Sequence, residues 1–362
     1  MDKIHYYRGT MTDGRRMSTD ILSLSNNGLN EEYIRDPQGR PWYETPFKGI
    51  RFVDPKKLIT INPSTRYGID IFDFAMLIRD ALHRYWLSVL KPDEKYLFFH
   101  SGGYDSRVLS LSLMELRESR DDLTRNIHFR CHQPEEPMFL EIMRRQGWDK
   151  SQYSVYEGPQ EDYYDIGRMD RPLNGWQHFN QQMNFWSDIA PDEKQWTLIT
   201  GVGGELFKFI AKNRPIKHKR VDNEALNWLI DAYPFEGQWE GYWRRIFKEL
   251  LLPYWSFEYL MVACSVDPRI CIEVKDTDSV RAVITVSYMD THNVDCRNIE
   301  YGRHDYSWNI SEKRKQEMRD AFYTSDLYKD MELGTYDFFN NIYNAQLWGF
   351  MTTYDASKKT KK

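Results

Sequence analysis

A short apolar run is followed by two glycines and the start of a helix in Phe98-Phe99-His100-Ser101-Gly102-Gly103-Tyr104-Asp105-Ser106-Arg107. The run Tyr96–Phe99 is wholly apolar and stops abruptly before the glycines, which is typical of a strand buried on both faces of a parallel sheet. From Arg107 to Arg117, apolar residues recur along one face of a helix. The stretch therefore predicts a strand, a tight turn and a helix in succession.

The same alternation continues along the chain to residue 200. Helical spacing of apolar residues marks residues 69–90 and 137–146, and Gly147 is placed to end the second of these helices. The strand pattern recurs in three further segments, residues 126–131, 152–156 and 196–200. Strands that alternate with helices predict an α/β domain with a doubly wound, mostly parallel sheet. We place this core at residues 67–207.

The regions on either side of the core have a different character. Residues 1–66 are rich in Gly, Asn, Pro and Arg and contain short extended pieces at 48–53 and 58–61, so we predict a short β-rich lead-in. Beyond residue 208 the strand signal fades, and we predict a mainly helical region over 208–362. Its predicted helices are residues 225–232, 239–252, 257–266, 311–323 and 335–350.

Composition narrows the classes of protein. Hydrophobic residues make up 41% of the chain, which is enough for a packed core, and the net charge of −5 does not favour nucleic acid as a partner. No run of about 18 apolar residues occurs, so no membrane span is expected. The four cysteines form no C-x-x-C pair, and the first residues carry no apolar signal-peptide stretch. We therefore expect a cytoplasmic protein without a zinc or redox motif.

The glycine turn has the chemistry of an anion site. Glycines let backbone N–H groups approach an anion closely, and a helix that starts behind them adds positive potential. Ser101 and Ser106 can donate hydroxyl hydrogen bonds to phosphate oxygens, and Asp105 would fit if it holds a Mg²⁺ that bridges to the phosphates. The alternative is a plain strand–turn–helix corner in which Asp105 or Ser106 caps the helix.

Four stretches resemble one known group of enzymes. The motif Ser-Gly-Gly-x-Asp-Ser at Ser101–Ser106 resembles the PP-loop of the N-type ATP pyrophosphatases, which split ATP between the α and β phosphates and have a HUP-like α/β fold. The chain is most similar to the synthetase domain of asparagine synthetase. Thr200–Phe207 resembles that family's S-G-x-G-x-D-E-L-F, and Leu252–Glu258 resembles its P-F-L-D and the following helix. Residues 49–61 resemble its lead-in.

The resemblance implies a set of binding residues for ATP and Mg²⁺. In the loop these are Ser101, Gly102, Gly103, Tyr104, Asp105 and Ser106, with Asp105 as a metal ligand. After the fourth core strand they are Thr200, Gly201, Gly203 and Gly204, with Phe129 and Arg130 as candidates for the other side of the adenine. The family has an Asp-Glu pair in its second motif, whereas this chain has only Glu205. Either Glu205 binds magnesium and joins Asp105 as a catalytic residue, or this loop has drifted.

The resemblance implies an ATP-dependent, AMP-forming ligase that adenylates a carboxylate or amide and then forms an amide. Position 2 is Asp2 and no cysteine precedes Cys131, so we expect no glutaminase activity. The amine would come from ammonia, a substrate amine or a separate protein. The acceptor, a small molecule or a macromolecule, is left open, and so is a homodimer. The alternatives are a PP-loop enzyme that modifies a nucleic-acid base or nucleotide, and a non-catalytic nucleotide-binding protein.

Overall fold

The structure is a computed structural model. It describes residues 10–18, 21–24, 28–35, 43–45, 47–53, 68–132, 136–156, 189–201, 246–263 and 312–330, and the single positions 243, 265, 288, 292, 294, 351, 354, 355, 358 and 359. The extended piece predicted at 58–61 and the helices predicted at 225–232 and 335–350 lie outside the described residues. Among those that are described, no helix is both long and apolar enough to cross a membrane.

A small antiparallel sheet lies in the N-terminal part of the chain. It consists of β1 (Met11–Thr12), β2 (Met17–Ser18) and β3 (Arg51–Phe52), with β1 in the middle, and a short helix α1 (Glu31–Arg35) lies between β2 and β3 in the sequence. Met11 is opposite both Ser18 and Phe52, and it is fully buried. The extended piece predicted within residues 48–53 is thus confirmed as β3.

The central sheet consists of five parallel strands in the described part of the chain. They are β4 (Tyr96–Phe99), β5 (Ile127–His132), β6 (Tyr153–Tyr156), β7 (Thr197–Thr200) and β8 (Glu249–Leu251). The helices are α2 (Ile71–Val89), α3 (Tyr104–Ser119), α4 (Asp121–Thr124), α5 (Glu136–Arg145), α6 (Phe257–Ala263), α7 (Glu312–Thr324) and α8 (Asp326–Asp330). Single 3₁₀ turns occur at Lys150–Gln152, Glu193–Gln195 and Pro253–Trp255. A parallel sheet with interspersed helices confirms the α/β class.

The strands lie in the order β6-β5-β4-β7-β8, so the direction of winding reverses at β4. The chain runs outward from β4 through β5 to β6, and then returns to the other side of β4 to form β7 and β8. Phe99 is opposite Thr200 in the parallel pairing of β4 with β7. Because these two residues end their strands, the chain segments that follow β4 and β7 leave the sheet side by side.

The central strand β4 is buried on both faces, as the sequence predicts. All four of its residues are buried, and successive side chains point to opposite faces of the sheet. The ring of Phe98 lies 5.3 Å from that of Phe129 on one face. On the other face the ring of Phe99 lies 5.9 Å from that of Phe247 and 6.3 Å from that of Trp243. Aromatic contacts on both faces therefore fix β4 in the middle of the domain.

The prediction of a helix over residues 239–252 is wrong at the C-terminal end of that range. Residues 243 and 246 are helical, but Glu249–Leu251 form the strand β8, in which Leu250 is opposite Leu198 of β7. An apolar strand of three residues beside a helical segment cannot be distinguished from that helix by periodicity. The central sheet thus takes its last described strand from beyond residue 207, where a mainly helical region was predicted. The helices predicted at 257–266 and 311–323 are confirmed as α6 and α7.

The N-terminus of α2 is fixed by a capping box. The Asp70 carboxylate accepts hydrogen bonds from the N–H groups of Phe72 and Asp73, both at 2.8 Å. We predict that Asp70→Ala lowers the free energy of unfolding by about 1 kcal/mol, because these two N–H groups lose their acceptor. Asp70→Asn, which keeps an acceptor oxygen, should stay close to wild type in urea unfolding. Equal losses in the two variants would contradict the prediction.

Candidate functional site

The segment after β4 makes the tight turn that its glycines predict. Gly102 has φ +69°, in the left-handed region that favours glycine, and Gly103 is the extended N-cap residue of α3. Gly103 makes no side-chain cap hydrogen bond. The alternative interpretation of Asp105 or Ser106 as the N-cap residue therefore does not hold, since both lie inside the first turn of α3.

Long hydrogen bonds connect the two serine hydroxyls of the loop. The Oγ atoms of Ser101 and Ser106 lie 3.2 Å apart, the Ser101 N–H donates to Ser106 Oγ at 3.3 Å, and the Gly103 N–H donates to Ser101 Oγ at 3.3 Å. Hydroxyl hydrogen bonds usually measure 2.7–2.8 Å and N–H···O bonds about 2.9–3.0 Å, so these bonds are weak. A bound anion could replace them at little cost.

The Gly102 peptide groups, in contrast, are both held by side chains. The Gly102 N–H donates to Nδ1 of His100 at 3.0 Å. The Gly102 carbonyl accepts hydrogen bonds from Nε and Nη2 of Arg107, at 3.2 and 3.0 Å. The sequence predicted that the glycine N–H groups face an anion. In this structure the Gly102 N–H points to His100 instead.

The imidazole of His100 is uncharged and has a fixed tautomer. It is 1% exposed and lies among aromatic rings, with the rings of Phe98 and Phe139 each 5.5 Å away. Burial and the nearby charge of Arg107 lower the pKa of His100 to about 3. Because Nδ1 accepts the Gly102 N–H, the single proton is on Nε2, which lies 3.0 Å from Ser110 Oγ.

Three sequence motifs meet at the carboxyl ends of β4, β7 and β8. Gly201 follows β7, and a Cβ atom placed on it would lie 3.6 Å from both the backbone nitrogen and Oγ of Ser106. Tyr254, in the 3₁₀ turn after β8, donates its hydroxyl to the backbone carbonyl of Asp105 at 2.7 Å. The loop Ser101–Ser106 is therefore close in space to the start of the stretch Thr200–Phe207 and to the stretch Leu252–Glu258.

Phe129 and Arg130, the two candidates on β5 for binding adenine, both make contacts within the protein. β5 continues to His132, so Phe129 and Arg130 are inside the strand and not at its end. The ring of Phe129 is fully buried, 4.6 Å from that of Trp148, and has no surface to offer a ligand. Arg130 makes a bidentate ion pair with Glu193, one bond of which measures 2.9 Å from Nη1 to Oε2.

That ion pair is stabilised in its charged form. Burial opposes ionisation of Glu193, but the hydrogen bonds and charge of Arg130 and the N–H of Ala190 outweigh burial and lower the pKa of Glu193. The guanidinium of Arg130 is thus held by Glu193, and binding a nucleotide with it would require breaking this pair. Of the other candidates, Gly203, Gly204 and Glu205 lie outside the described residues.

Asp105 has a setting that suits a magnesium ligand. Its side chain is in the first turn of α3 and is half-buried, as are those of Ser101 and Tyr104. No group of three or more His, Cys, Asp or Glu side chains in the described part of the chain could hold a metal ion by itself. Mg²⁺ commonly binds to one or two carboxylates together with substrate phosphates. Asp105 is an acidic residue in the first turn of α3, directly after the loop glycines, and a single carboxylate is compatible with that mode of binding.

No family model and no curated protein matches the chain. The sequence motifs and the geometry of the loop are therefore the observations that support a function.

The positive φ of Gly102 gives a test of the loop with a matched control. Alanine at this φ costs about 1–2 kcal/mol, and its methyl group would also lie 2.6 Å from Cε of Met138. Gly147 has nearly the same φ, +66°, but a Cβ there meets only Arg117 Nη2, at 3.6 Å. We predict that Gly102→Ala and Gly147→Ala both lower the free energy of unfolding, and that only Gly102→Ala weakens Mg·ATP binding in calorimetric titration. Equal affinity in the two variants would contradict this role of the loop.

The lowered pKa of His100 predicts a specific acid sensitivity. As the pH falls below 6.5 the unfolded chain protonates His100, whereas the folded protein does not do so until about pH 3. The unfolded state then binds more protons, so this group reduces stability by up to about 1.4 kcal/mol per pH unit across that window. In urea unfolding between pH 6.5 and pH 4, His100→Gln should show a shallower loss of stability than wild type. Parallel pH profiles would show that His100 does not carry this effect.

Proposed function

We propose that the loop Ser101–Ser106 binds the phosphates of ATP, and that the protein is an AMP-forming ligase of the asparagine-synthetase-like type. The observation that carries the proposal is the position of the loop. It follows the central strand β4 at the point where the strand order reverses, beside the end of β7. Doubly wound α/β sheets bind their ligands in the crevice at this point, outside the carboxyl ends of the strands.

The loop offers several groups to a phosphate chain. Among the described residues, the hydroxyls of Ser101 and Ser106 and the N–H of Gly103 take part only in long hydrogen bonds. The N-terminus of α3 contributes positive potential behind them. The charged guanidinium of Arg107 is buried next to Gly102 and donates to its carbonyl. These groups together favour binding of a highly charged anion such as a polyphosphate.

Asp105 would hold Mg²⁺ at the same place. When bound, the metal neutralises charge on the phosphates and stabilises the leaving pyrophosphate. Tyr254 fixes the backbone carbonyl of Asp105, so the residue has a defined position relative to the end of β8. Asp105 is therefore the residue whose loss should most directly affect turnover.

The nucleoside would lie on the side of β7. Gly201 lies against Ser106, so the end of β7 is directly beside the loop, where the ribose and adenine would lie. In the proposed reaction, an oxygen of the substrate carboxylate or amide attacks the α phosphorus of ATP, and the bond from that phosphorus to pyrophosphate breaks. An amine then attacks the adenylated carbon and AMP leaves, so that a carboxylate substrate gives an amide and an amide substrate gives an amidine.

Exchange of labelled pyrophosphate into ATP tests adenylation directly. The panel of acceptors contains amino acids, small carboxylates and nucleic acids, and we expect wild type to catalyse exchange with Mg²⁺ and one class of amino acid or small carboxylate. Asp105→Asn should lower the rate about 100-fold or more, because transition-state charge loses its stabilisation. Asp93→Asn, exposed in the turn between α2 and β4, is the control and should keep the wild-type rate.

The other outcomes separate the alternatives. Exchange that requires a nucleic acid would favour the base-modifying enzyme over the amide ligase. Binding of ATP without exchange for any acceptor would favour a non-catalytic nucleotide-binding protein. Failure to bind ATP at all would contradict the proposed site.

A further inference from the structure

We propose that His100 and Arg107 act as positioning residues that clamp the Gly102 peptide groups and thereby hold the loop ready for phosphate. The inference rests on the proposed function, and it concerns two residues that lie just outside the six-residue motif. One of them binds the Gly102 N–H and the other binds the Gly102 carbonyl. Neither residue needs to contact the nucleotide, because each acts through Gly102.

The N–H side of the clamp depends on the tautomer of His100. Nδ1 must be unprotonated to accept a hydrogen bond from the Gly102 N–H, so the proton is on Nε2. This N–H group donates a hydrogen bond to Ser110 Oγ. Ser110 in turn donates to the Arg107 carbonyl at 3.1 Å. Gln146 Nε2 also donates to Ser110 Oγ at 3.0 Å, and Trp148 Nε1 donates to Gln146 Oε1 at 2.8 Å. Each donor in this buried chain has one acceptor, so the network permits one orientation of the imidazole.

The carbonyl side of the clamp depends on the fork of Arg107. Both Nε and Nη2 donate to the Gly102 oxygen, which fixes the plane of the guanidinium relative to that carbonyl. The guanidinium also lies 5.3 Å from the centre of the Tyr104 ring, and Arg107 is 2% exposed. Arg107 is therefore packed in place, with Nε and Nη2 both directed at the Gly102 carbonyl.

The clamp has a consequence for the rest of the loop. With its N–H and carbonyl both held, Gly102 keeps its left-handed conformation, and the Ser101 and Gly103 backbones on either side keep their directions. The Ser101 and Ser106 hydroxyls are then presented together before any anion binds. A site that is already arranged avoids the ordering cost of binding, so the clamp raises affinity without a contact to the ligand.

Two substitutions at His100 distinguish the effect of its hydrogen bond to Gly102 on Mg·ATP affinity from the effect of its packing. Asn places an acceptor oxygen at the position of Nδ1, whereas Gln places its amide at the position of Nε2. We expect His100→Asn to bind Mg·ATP within about threefold of wild type, and His100→Gln to bind roughly three- to tenfold more weakly, the range that one hydrogen bond of ordinary strength represents. Packing alone predicts the reverse order, because Asn leaves the larger cavity among the aromatic rings.

The wild-type protein gives a second measurement that needs no folded variant. With glycine labelled selectively with ¹⁵N, the Gly102 N–H should exchange with solvent far more slowly than an exposed loop amide, in the absence of nucleotide. Histidine labelling should show Nε2 protonated and Nδ1 unprotonated for His100 at neutral pH. Fast exchange at Gly102, or the opposite tautomer, would overturn the clamp.

The titrations distinguish a failed clamp from a failed function. Wild type that binds neither Mg·ATP nor magnesium pyrophosphate contradicts the proposed function, and the positioning role falls with it. Wild type that binds, with His100→Asn and His100→Gln equal to each other, contradicts the clamp alone. Wild type that binds, with only His100→Gln weakened, supports both.

Discussion

Burial of β4 on both faces determines how the chain must be arranged where this strand ends. Where a buried strand ends, the backbone N–H and C=O groups that follow it no longer pair with neighbouring strands, and they need other hydrogen-bond partners. The His100 N–H keeps one ladder bond, to the Arg130 carbonyl at 2.9 Å. Beyond that point the partners of Gly102 are the side chains of His100 and Arg107. The same burial that makes β4 the centre of the fold thus requires the polar side chains that fix the loop.

The part of the fold that could be predicted from the sequence is the part with a strong local pattern. β4 is a run of apolar residues, and α2 and α5 have long apolar stripes, so their positions agree with prediction to within a residue or two. β8 could not be predicted, because its three residues are too few to show alternation. It is a strand because Leu250 pairs with Leu198, 52 positions earlier in the chain, and no local pattern encodes that contact.

The candidate site also has features that the sequence predicts and features that it does not. Glycine and serine spacing predicts the turn, since only glycine tolerates the φ of Gly102. The hydrogen bonds made by His100 could not be predicted, because a histidine after an apolar strand gives no sign of its partners. For Arg130, in contrast, the sequence predicted a role that its observed contacts do not favour. Its place near the end of a strand predicted a ligand contact, but Glu193, 63 positions later, holds its guanidinium in an ion pair that only the tertiary structure brings together.

The charge state of His100 connects the fold to the proposed chemistry. A histidine near phosphate is often read as a cation that binds the anion, but a proton on Nδ1 would face the Gly102 N–H, and two donors repel. Burial and the charge of Arg107 both disfavour that proton, so the imidazole stays neutral while the adjacent guanidinium carries the positive charge. The two residues therefore hold the two peptide groups on either side of the Gly102 Cα. His100 accepts the N–H without carrying a charge, and Arg107 donates to the carbonyl with a charged guanidinium.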